Sequence, residues 1–383
     1  MTFGWVTAPI GKVVTPVDRP ESPQPGVIYR QIGVRLWGGG AYERESMDGS
    51  DTQYKTLNCV EPNDIIVNKI WARNGSVSVV NKVLAGCYCS SEFPLYRPIP
   101  DALYPKWFYW ITKARWFWNS CDEKSRGTSG KNRIKPHKFL EIHIPLPPLD
   151  EQRRIVAKIE SILSKIDEAR QLRQAIQKDA QAMLHSAFQQ IVKSAEYCSM
   201  AEVAPIVRRP VTTEPESEYQ ELGVRSFGKG TFHKPVLNGI DVGTKKLYRI
   251  CPGDLLFSNV FAWEGAIAVV QPEDAERVGS HRFITCVAEK DVTTPEFLCF
   301  YLLTDEGIEK VRAASPGGAG RNRTLGLNKL EKIEVPIPLY DKQLWFNRLQ
   351  AQVGTIQQTQ VDSQVELDAL LPSLLNKAFK GEL

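Results

Sequence analysis

The stretch "YRQIGVRLWGGG" at Tyr29–Gly40 returns about 190 residues later as "YQELGVRSFGKG" at Tyr219–Gly230. The same offset relates seven further identical positions: Pro62 and Pro252, Asp64 and Asp254, Ala72 and Ala262, Gly75 and Gly265, Val79 and Val269, Val80 and Val270, and Phe93 and Phe283. A repeat of this length lies outside the range of short-period solenoids. It predicts a duplicated domain whose two copies perform similar tasks.

The repeat continues beyond these positions into a glycine-rich segment and a proline-rich segment. "SRGTSGKNR" at Ser125 corresponds to "SPGGAGRNR" at Ser315, and "IPLPPLDEQ" at Ile144 corresponds to "VPIPLYDKQ" at Val335. A polar, helix-forming stretch of roughly 40 residues follows each proline-rich segment. We therefore predict globular domains over residues 1–148 and 196–338, and long helices over residues 149–195 and 339–383.

Both long helices carry apolar residues at spacings of three, four or seven, which is typical of a coiled-coil seam. The first seam comprises Ile155, Ile159, Ile162, Ile166, Ala169, Ile176, Ala180, Met183 and Ala187, and the second comprises Phe346, Leu349, Val353, Ile356, Leu367, Leu370 and Leu374. Asp150 and Asp341 are the expected starts, and Pro372 is expected to kink or end the second helix. The predicted fold class is α+β: two similar α/β domains, two long antiparallel helices forming a coiled coil, and a pseudo-twofold internal repeat.

Short apolar runs bounded by Gly, Pro and Asn predict strands inside each globular domain; the clearest are "DIIVNKI", "VSVVNKVL", "DLLFSNVF" and "AIAVVQP". An aromatic helix follows, marked by Trp107 in the first copy and by Phe297 in the second. Aromatic side chains beside basic residues can stack on bases. Because both copies have apolar residues at matching positions, we favour a helix packed on the sheet.

Composition narrows the class of protein. The chain has 383 residues with 42% hydrophobic content, it contains no run of 18 apolar residues, and it does not begin with a signal-peptide pattern. We therefore expect a cytoplasmic protein. The eight cysteines are scattered and do not recur at the repeat offset, so reduced thiols are expected, with no zinc-like spacing.

The net charge of +4 is divided unevenly. Residues 1–148 hold 19 Lys and Arg against 13 Asp and Glu, whereas residues 196–338 hold 17 against 20. A second domain that binds nucleic acid must therefore use a local basic patch. Residues 124–138 and 311–330 are such patches, because each contains several basic residues and no acidic one.

These patches supply the candidate contacts to DNA. The phosphate candidates, with the asparagines beside them, are Arg126, Lys131, Asn132, Arg133, Arg321, Asn322 and Arg323. Arg35 and Arg225 are further candidates, because the glycines that follow them could let a loop approach DNA. Alternatively, the glycines of either region could simply form tight turns.

Catalytic motifs are not evident. "GTSGKN" at Gly127 lacks the spacing and the Ser or Thr of a phosphate-binding loop, and the Asn-Pro-Pro-aromatic motif of adenine methyltransferases is missing. Asp101 followed by Asp122, Glu123 and Lys124 loosely fits a metal-dependent nuclease. The second copy does not repeat this pattern, so we interpret it as a chance match.

Two variable domains, each ending in a basic glycine-rich loop, a proline-rich segment and a long helix, resemble the specificity subunit of type I restriction-modification enzymes. The resemblance covers the whole chain. "IPLPPLDEQRRIVAKIESIL" carries it most specifically, whereas "VPIPLYDKQLWFNRL" departs from the pattern at Leu344 and Trp345, where arginines are usual.

The resemblance implies a non-catalytic subunit that selects double-stranded DNA for methylation and for phage defence. Each globular domain would be a target recognition domain for one half of an asymmetric bipartite site, and the helices would set the gap. Two methyltransferase (modification) subunits would dock on the helices, and restriction subunits would join them. S-adenosylmethionine, ATP and Mg would belong to those partners, with no cofactor on this chain.

Two alternatives are retained at this stage: a free-standing metal-dependent nuclease and a structural coiled-coil adaptor. Base-reading residues are expected where the two copies differ, because the two half-sites differ. This criterion alone selects most of each domain, so the residues and the DNA sequence they recognise stay open.

Overall fold

A computed structural model describes residues 5–125, 132–317 and 323–383. It divides into two compact units. The first combines Met1–Arg173 with Val361–Leu383, and the second is Gln174–Gln360. Each long helix is therefore shared between the units, since one part of it packs in each.

The first unit contains thirteen short strands and three short helices among its described residues. The strands are β1 (Thr7–Pro9), β2 (Val14–Val17), β3 (Pro20–Glu21), β4 (Ile28–Tyr29), β5 (Ile32–Val34), β6 (Ala41–Glu43), β7 (Met47–Asp48), β8 (Leu57–Cys59), β9 (Ile65–Val67), β10 (Val77–Val79), β11 (Tyr88–Cys89), β12 (Leu95–Pro98) and β13 (His143–Pro145). The short helices are α1 (Pro105–Ile111), α2 (Arg115–Ser125) and α3 (Pro136–Leu140). The long helix α4 (Leu149–Val192) follows.

The second unit repeats this plan. Its strands are β14 (Glu196–Ser199), β15 (Ile206–Val207), β16 (Pro210–Val211), β17 (Glu218–Val224), β18 (Thr231–Asn238), β19 (Leu247–Arg249), β20 (Leu255–Ser258), β21 (Ile267–Val269), β22 (Val278–Ser280), β23 (Phe283–Cys286) and β24 (Glu334–Ile337). Its short helices are α5 (Met200–Val203), α6 (Gly239–Val242), α7 (Pro295–Leu302), α8 (Asp305–Ala313) and α9 (Leu327–Leu330). The long helix α10 (Tyr340–Lys380) completes the chain order.

The central sheets of the two units are equivalent. Four antiparallel strands lie in the order β10, β9, β12, β2 in the first unit and β21, β20, β23, β15 in the second. A buried carboxylate at the start of the middle strand is held in both: Arg19 lies 2.8 Å from Asp64, and Arg209 lies 2.7 Å from Asp254. The repeat seen in the sequence is therefore a repeat of the fold, and the predicted fold class is confirmed.

The aromatic helices pack on these sheets, as predicted. Trp107 and Phe108 of α1 are fully buried, as are Phe297 and Leu298 of α7. These side chains belong to the cores of their units. Base stacking by Trp107 or Phe297 is thereby excluded.

Each core is completed by the C-terminal end of a long helix. Phe379 of α10 packs 5.3 Å from Trp107 in the first unit, measured between ring centroids. Phe188 of α4 packs 5.5 Å from Phe297 in the second. Because the start of α4 lies in the same core as the end of α10, the two helices run antiparallel there. Arg170, whose Nη2 lies 3.0 Å from Asp368 Oδ1, continues this pairing.

The long helices lie close to their predicted ranges of 149–195 and 339–383, since α4 covers Leu149–Val192 and α10 covers Tyr340–Lys380. Asp150 and Asp341, the expected starts, are each the second residue of their helix. Pro372 does not end α10, which continues to Lys380. Proline in a helix removes one hydrogen bond and crowds the preceding turn. Burial of Leu374 and Phe379 beyond it offsets that cost.

The predicted seam is only partly buried. Ile155, Ile159 and Ile166 are inaccessible or nearly so, whereas Ile176 and Met183 of α4 and Ile356 and Leu370 of α10 are 44–46% exposed. The prediction of a buried seam was wrong for these four residues. On the neighbouring turn of α4 the contact with α10 is polar, and Arg173 donates to Ser363 Oγ over 2.8 Å.

Within the described ranges, no helix is both long enough and apolar enough to cross a membrane. The eight cysteines are free thiols.

Candidate nucleic-acid interface

The two basic glycine-rich loops are the first candidates for DNA contact. Arg126, Lys131, Arg321 and Asn322 lie outside the described residues. The remaining candidates of these loops, Asn132, Arg133 and Arg323, mark the points where the described chain resumes after each loop.

Both loops start from the same helical anchor. Ser125 ends α2 and is buried, and its hydroxyl donates to the Cys121 carbonyl over 2.6 Å. Ser315 is equally buried just after α8, and its hydroxyl donates to the Val311 carbonyl over 2.7 Å. A hydroxyl bonded to the carbonyl one turn earlier is satisfied without water. The repeated serine therefore fixes where each loop leaves the core.

The loop exits are anchored in the same way. Ile134 N donates to the Lys69 carbonyl over 2.9 Å in the first unit. Leu325 N donates to the Asn259 carbonyl over 2.7 Å in the second, where Asn259 is the repeat equivalent of Lys69. The residues before and after each basic loop are thus held at equivalent positions of the two units.

Acidic residues compensate much of the positive charge beside the first loop. Lys124 and Lys138 lie 2.8 and 2.9 Å from the Glu141 carboxylate. Their hydrogen bonds lower the pKa of Glu141 to about 2, so it stays ionised at neutral pH. Arg133, about half exposed, lies 3.2 Å from Glu92. Glu141 follows the acid-free run directly, so its pairing could have been anticipated from the sequence.

The second loop is anchored by an aromatic residue. The Arg323 guanidinium lies 5.3 Å from the centre of the Trp263 ring, a cation–π distance. Arg312 pairs with Glu309 at 2.6 Å and donates to the Trp263 carbonyl. Arg323 is thus held in place with its charge still available to an anion.

The hairpin candidates Arg35 and Arg225 are stacked on their own hairpins. Arg35 lies 4.4 Å from the Tyr42 ring, and Arg225 lies 5.0 Å from the Phe232 ring. Their side chains are exposed, so contact with DNA stays a prediction for both.

The hairpin tips present a feature that the sequence reasoning missed. Trp37 and Phe227 have left-handed backbones with φ of 56° and 62°, and they are 60% and 73% exposed. Gly38 follows Trp37, and a Cβ on it would lie 2.9 Å from the Lys113 Cα. Strained, exposed aromatics at equivalent tips are unusual for residues that only shape a turn. An aromatic followed by glycine in both copies was the available signal.

The nuclease pattern does not assemble. Lys124 is paired with Glu141, and no group of three His, Cys, Asp or Glu suited to a metal occurs in the part of the chain that the structure describes. Asp101 lies in a turn and Asp122 on α2.

The proline-rich segments place a buried glutamine at the start of each long helix. Gln152 accepts from Tyr104 N over 2.8 Å and donates to the Ala102 and Pro147 carbonyls. Gln343 accepts from Thr293 Oγ1 over 2.9 Å and donates to the Val292 and Pro338 carbonyls. Both side chains are fully buried, so they clamp each helix to its own unit. The glutamine shared by the two proline-rich motifs was the signal for this clamp, and the sequence analysis did not use it.

Comparison with known proteins agrees with this arrangement. Residues 33–178 match the family model described as the type I restriction modification DNA specificity domain. The type I restriction enzyme EcoKI specificity subunit of Escherichia coli K12 is 21% identical over 441 residues, covering 99% of this chain and 89% of that protein. Residues 33–178 thus resemble this specificity domain, and the whole chain is similar in extent to a type I specificity subunit.

Two solved structures share the fold of this chain. The HsdS subunit from Thermoanaerobacter tengcongensis superposes with a TM-score of 0.67 at 20% identity, covering 99% of this chain and 97% of that one. A second solved chain, from work on complex assembly and conformational transition of the type I restriction-modification system, gives a TM-score of 0.69 at 19% identity with complete coverage of both chains. The chain thus shares its fold with these two solved chains.

The family model covers the first repeat and the start of α4, but not the second repeat. The second unit nonetheless has the same central sheet, loop anchors and helix clamp. Both units therefore share an equivalent framework.

Proposed function

We propose that this chain is the DNA sequence-specificity subunit of a type I restriction-modification complex, in which each unit reads one half of a bipartite, asymmetric site. One observation carries the proposal. The two units repeat one framework, with the same strand order in the central sheet and the same hydrogen bonds on either side of the basic segment. Exposed side chains that differ between the units on this common framework suit the reading of two different half-sites.

The division of contacts follows from chemistry. Arginine and lysine bound to phosphates give affinity and position, whereas groups that reach base edges give sequence preference. Arg133 and Arg323 suit the first role, because both are anchored and keep accessible charge.

The long helices supply the docking surface for two methyltransferase subunits in this proposal. Large apolar side chains on them are exposed to water: Leu172 (58%), Ile176 (46%), Val361 (64%) and Val365 (75%). Exposed apolar side chains on helices are suited to packing against partner helices. Restriction subunits would join the same assembly.

The chain itself is non-catalytic in this proposal and acts in the cytoplasm. S-adenosylmethionine, ATP and Mg belong to the partner subunits, and no cofactor is assigned to this chain. Its residues position DNA, while the partners carry out methylation, translocation and cleavage.

Reconstitution tests the proposal. The purified chain with Mg and S-adenosylmethionine should neither cut nor methylate DNA, whereas adding the modification subunit should produce sequence-specific adenine methylation. DNA cleavage by the chain alone that is lost in Asp122→Ala would replace the proposal with the nuclease alternative. A complex that methylates without sequence preference would also refute it.

A further inference from the structure

Glu92 of the first unit and Arg282 of the second carry opposite charges within an otherwise matched part of the two units. The two residues are related by the repeat offset, and each precedes a phenylalanine shared by both copies, Phe93 and Phe283. Each lies in the turn that leads into the central sheet, before β12 or β23. A carboxylate in one unit is thus replaced by a guanidinium in the other.

The backbone around this pair is the same in both units. Lys69 N donates to the Glu92 carbonyl over 3.1 Å, and Asn259 N donates to the Arg282 carbonyl over 2.8 Å. Lys69 and Asn259 are also the residues that receive the exits of the two basic loops. Lys69 therefore connects Glu92 by backbone hydrogen bonds to the exit of the first basic loop, and Asn259 connects Arg282 to the exit of the second. Both loops are predicted to contact phosphates.

The charge environment of the pair differs between the units. Glu92 is neutralised, because it lies 3.2 Å from Arg133 and 3.5 Å from Lys69. Arg282 is exposed and forms no ion pair with any residue that the structure describes. Its neighbour Phe283 supports a second cation, since Lys234 Nζ lies 5.2 Å from that ring.

The surface at this position is concave in the first unit. Glu92 lines a cavity of about 260 Å³ with Trp71, Arg44 and Gln31. The repeat equivalents of these three residues are Phe261, Lys234 and Glu221. The aromatic residue stays aromatic and the basic residue stays basic in the second unit. In contrast, Glu221 replaces Gln31 and Arg282 replaces Glu92.

We propose that Arg282 is a base-reading residue that contacts a guanine in the half-site bound by the second unit. Arginine forms two hydrogen bonds to the O6 and N7 edge of guanine in the major groove, and this pairing discriminates against other bases. Glu92 cannot serve the same base, because it is an acceptor that holds Arg133 in place. The inference rests on the proposed function and adds one residue and one base to it.

The test uses the complete complex of this chain with its modification subunit and a library of randomised DNA duplexes, with the methylated adenines and their flanking bases sequenced. With Arg282→Ala, one guanine position in one half-site should lose its preference by roughly 5- to 150-fold, while the other half-site is unchanged. Arg282→Gln should shift the preference at that position toward adenine.

A matched control is Arg249→Ala, which removes another exposed arginine of the same unit, one paired with Glu276. Its motif should equal that of the unaltered complex. A general fall in methylation with an unchanged motif in Arg282→Ala would show that Arg282 contacts phosphate and would overturn the proposal. An unchanged motif with unchanged methylation, or a change in both half-sites, would overturn it as well.

Failure of the underlying function looks different. If the unaltered complex methylated no defined bipartite sequence, the assignment as a specificity subunit would fail before any variant was compared. If it gave a bipartite motif that Arg282→Ala left intact, only the role of Arg282 would fall.

Discussion

Arg133 and Arg323 are the described members of the basic loops whose charge remains accessible to DNA. Replacing either by Ala should weaken binding to cognate and unrelated duplexes alike, because phosphates are the same in every sequence. The dependence of log affinity on log salt should become shallower by about one unit. Binding of the complex to labelled duplexes, titrated between about 50 and about 200 mM salt, measures both quantities.

The control for this pair is Arg249→Ala, which lies outside the loops and should leave the salt slope unchanged. A relaxed motif with an unchanged slope in Arg133→Ala or Arg323→Ala would make that arginine a base reader instead.

Glu141 pairs with two lysines that border the first loop. Replacing it should strengthen DNA binding, whereas replacing Arg133 or Arg323 should weaken it. Glu141→Gln should free Lys124 and Lys138, strengthen binding to unrelated DNA and steepen the salt slope by up to about two units. The pKa of Glu141 is depressed to about 2, so the pairing is present at neutral pH and is lost only as the pH falls toward that value.

The same binding titration measures the effect, and Glu216→Gln, an exposed glutamate outside the basic segment, is the control. Unchanged or weaker DNA binding in Glu141→Gln would mean that Lys124 and Lys138 do not face DNA.

At the residue scale, the sequence identified the loops by composition but not the state of their charges. The basic run at residues 124–138 contains no acid, yet Glu92 and Glu141 reach it from outside the run. The contact between Glu92 and Arg133, which are 41 residues apart, depends on the fold, and spacing alone does not reveal it.

Among the elements, the long helices depend on a buried glutamine at their first turn. Gln152→Ala would leave Tyr104 N and the Ala102 and Pro147 carbonyls without a partner. Each buried, unpaired polar group costs about 1–3 kcal/mol. The free energy of unfolding should fall by about 3 kcal/mol or more, as measured by urea denaturation.

Gln177→Ala, on an exposed turn of the same helix, should change the free energy of unfolding by less than about 0.5 kcal/mol. Equal, small effects of the two substitutions would show that the clamp does not hold α4 to its unit.

The helix ends provide a matched pair of core substitutions. Phe379→Ala should destabilise the first unit and Phe188→Ala the second, each by about 3–5 kcal/mol, because each removes a buried aromatic ring. Hydrogen exchange should report faster exchange in residues 5–125 for Phe379→Ala and in residues 196–317 for Phe188→Ala. The reverse assignment, or uniform acceleration in both, would contradict the packing of each helix end in its own unit.

Much of the element scale followed from the sequence. Short apolar runs located β9, β10, β20 and β21 of the central sheets, and matching offsets located the aromatic helices. Pro372 was expected to kink or end the second helix, and it does not end it. Local propensity opposes proline in a helix, but Leu374 and Phe379 beyond it are buried. Ile176 is exposed although it lies on the predicted seam. Periodicity predicts which face of a helix is apolar, but not whether another residue covers that face.

At the scale of the whole molecule, duplication is the property that the sequence established most securely. Identical residues at one offset correspond to the same sheet order and the same loop anchors in both units. The second unit, acidic overall, has the same fold as the basic first unit, because the framework is set by apolar residues and turns. The bases that each unit prefers depend on a few exposed side chains that composition cannot identify.

The helices give one further prediction at this scale. Inserting one heptad near Ile166 and one in the facing part of α10 keeps the apolar period and adds about 10 Å of helix. If the helices set the gap between half-sites, methylation should weaken strongly or move to a longer gap, with both half-site sequences unchanged. Full activity on the original gap would show that the partner subunits position the two units.

The central claim is that each unit reads its own half-site, and the adenine-methylation motif tests it most directly. The motif would be sequenced in cells that carry this chain with its modification subunit, before and after residues 196–338 are exchanged for those of a relative. We predict an asymmetric bipartite motif in which the exchange changes one half and leaves the other half intact. A single uninterrupted motif, or a change in both halves, would contradict the account.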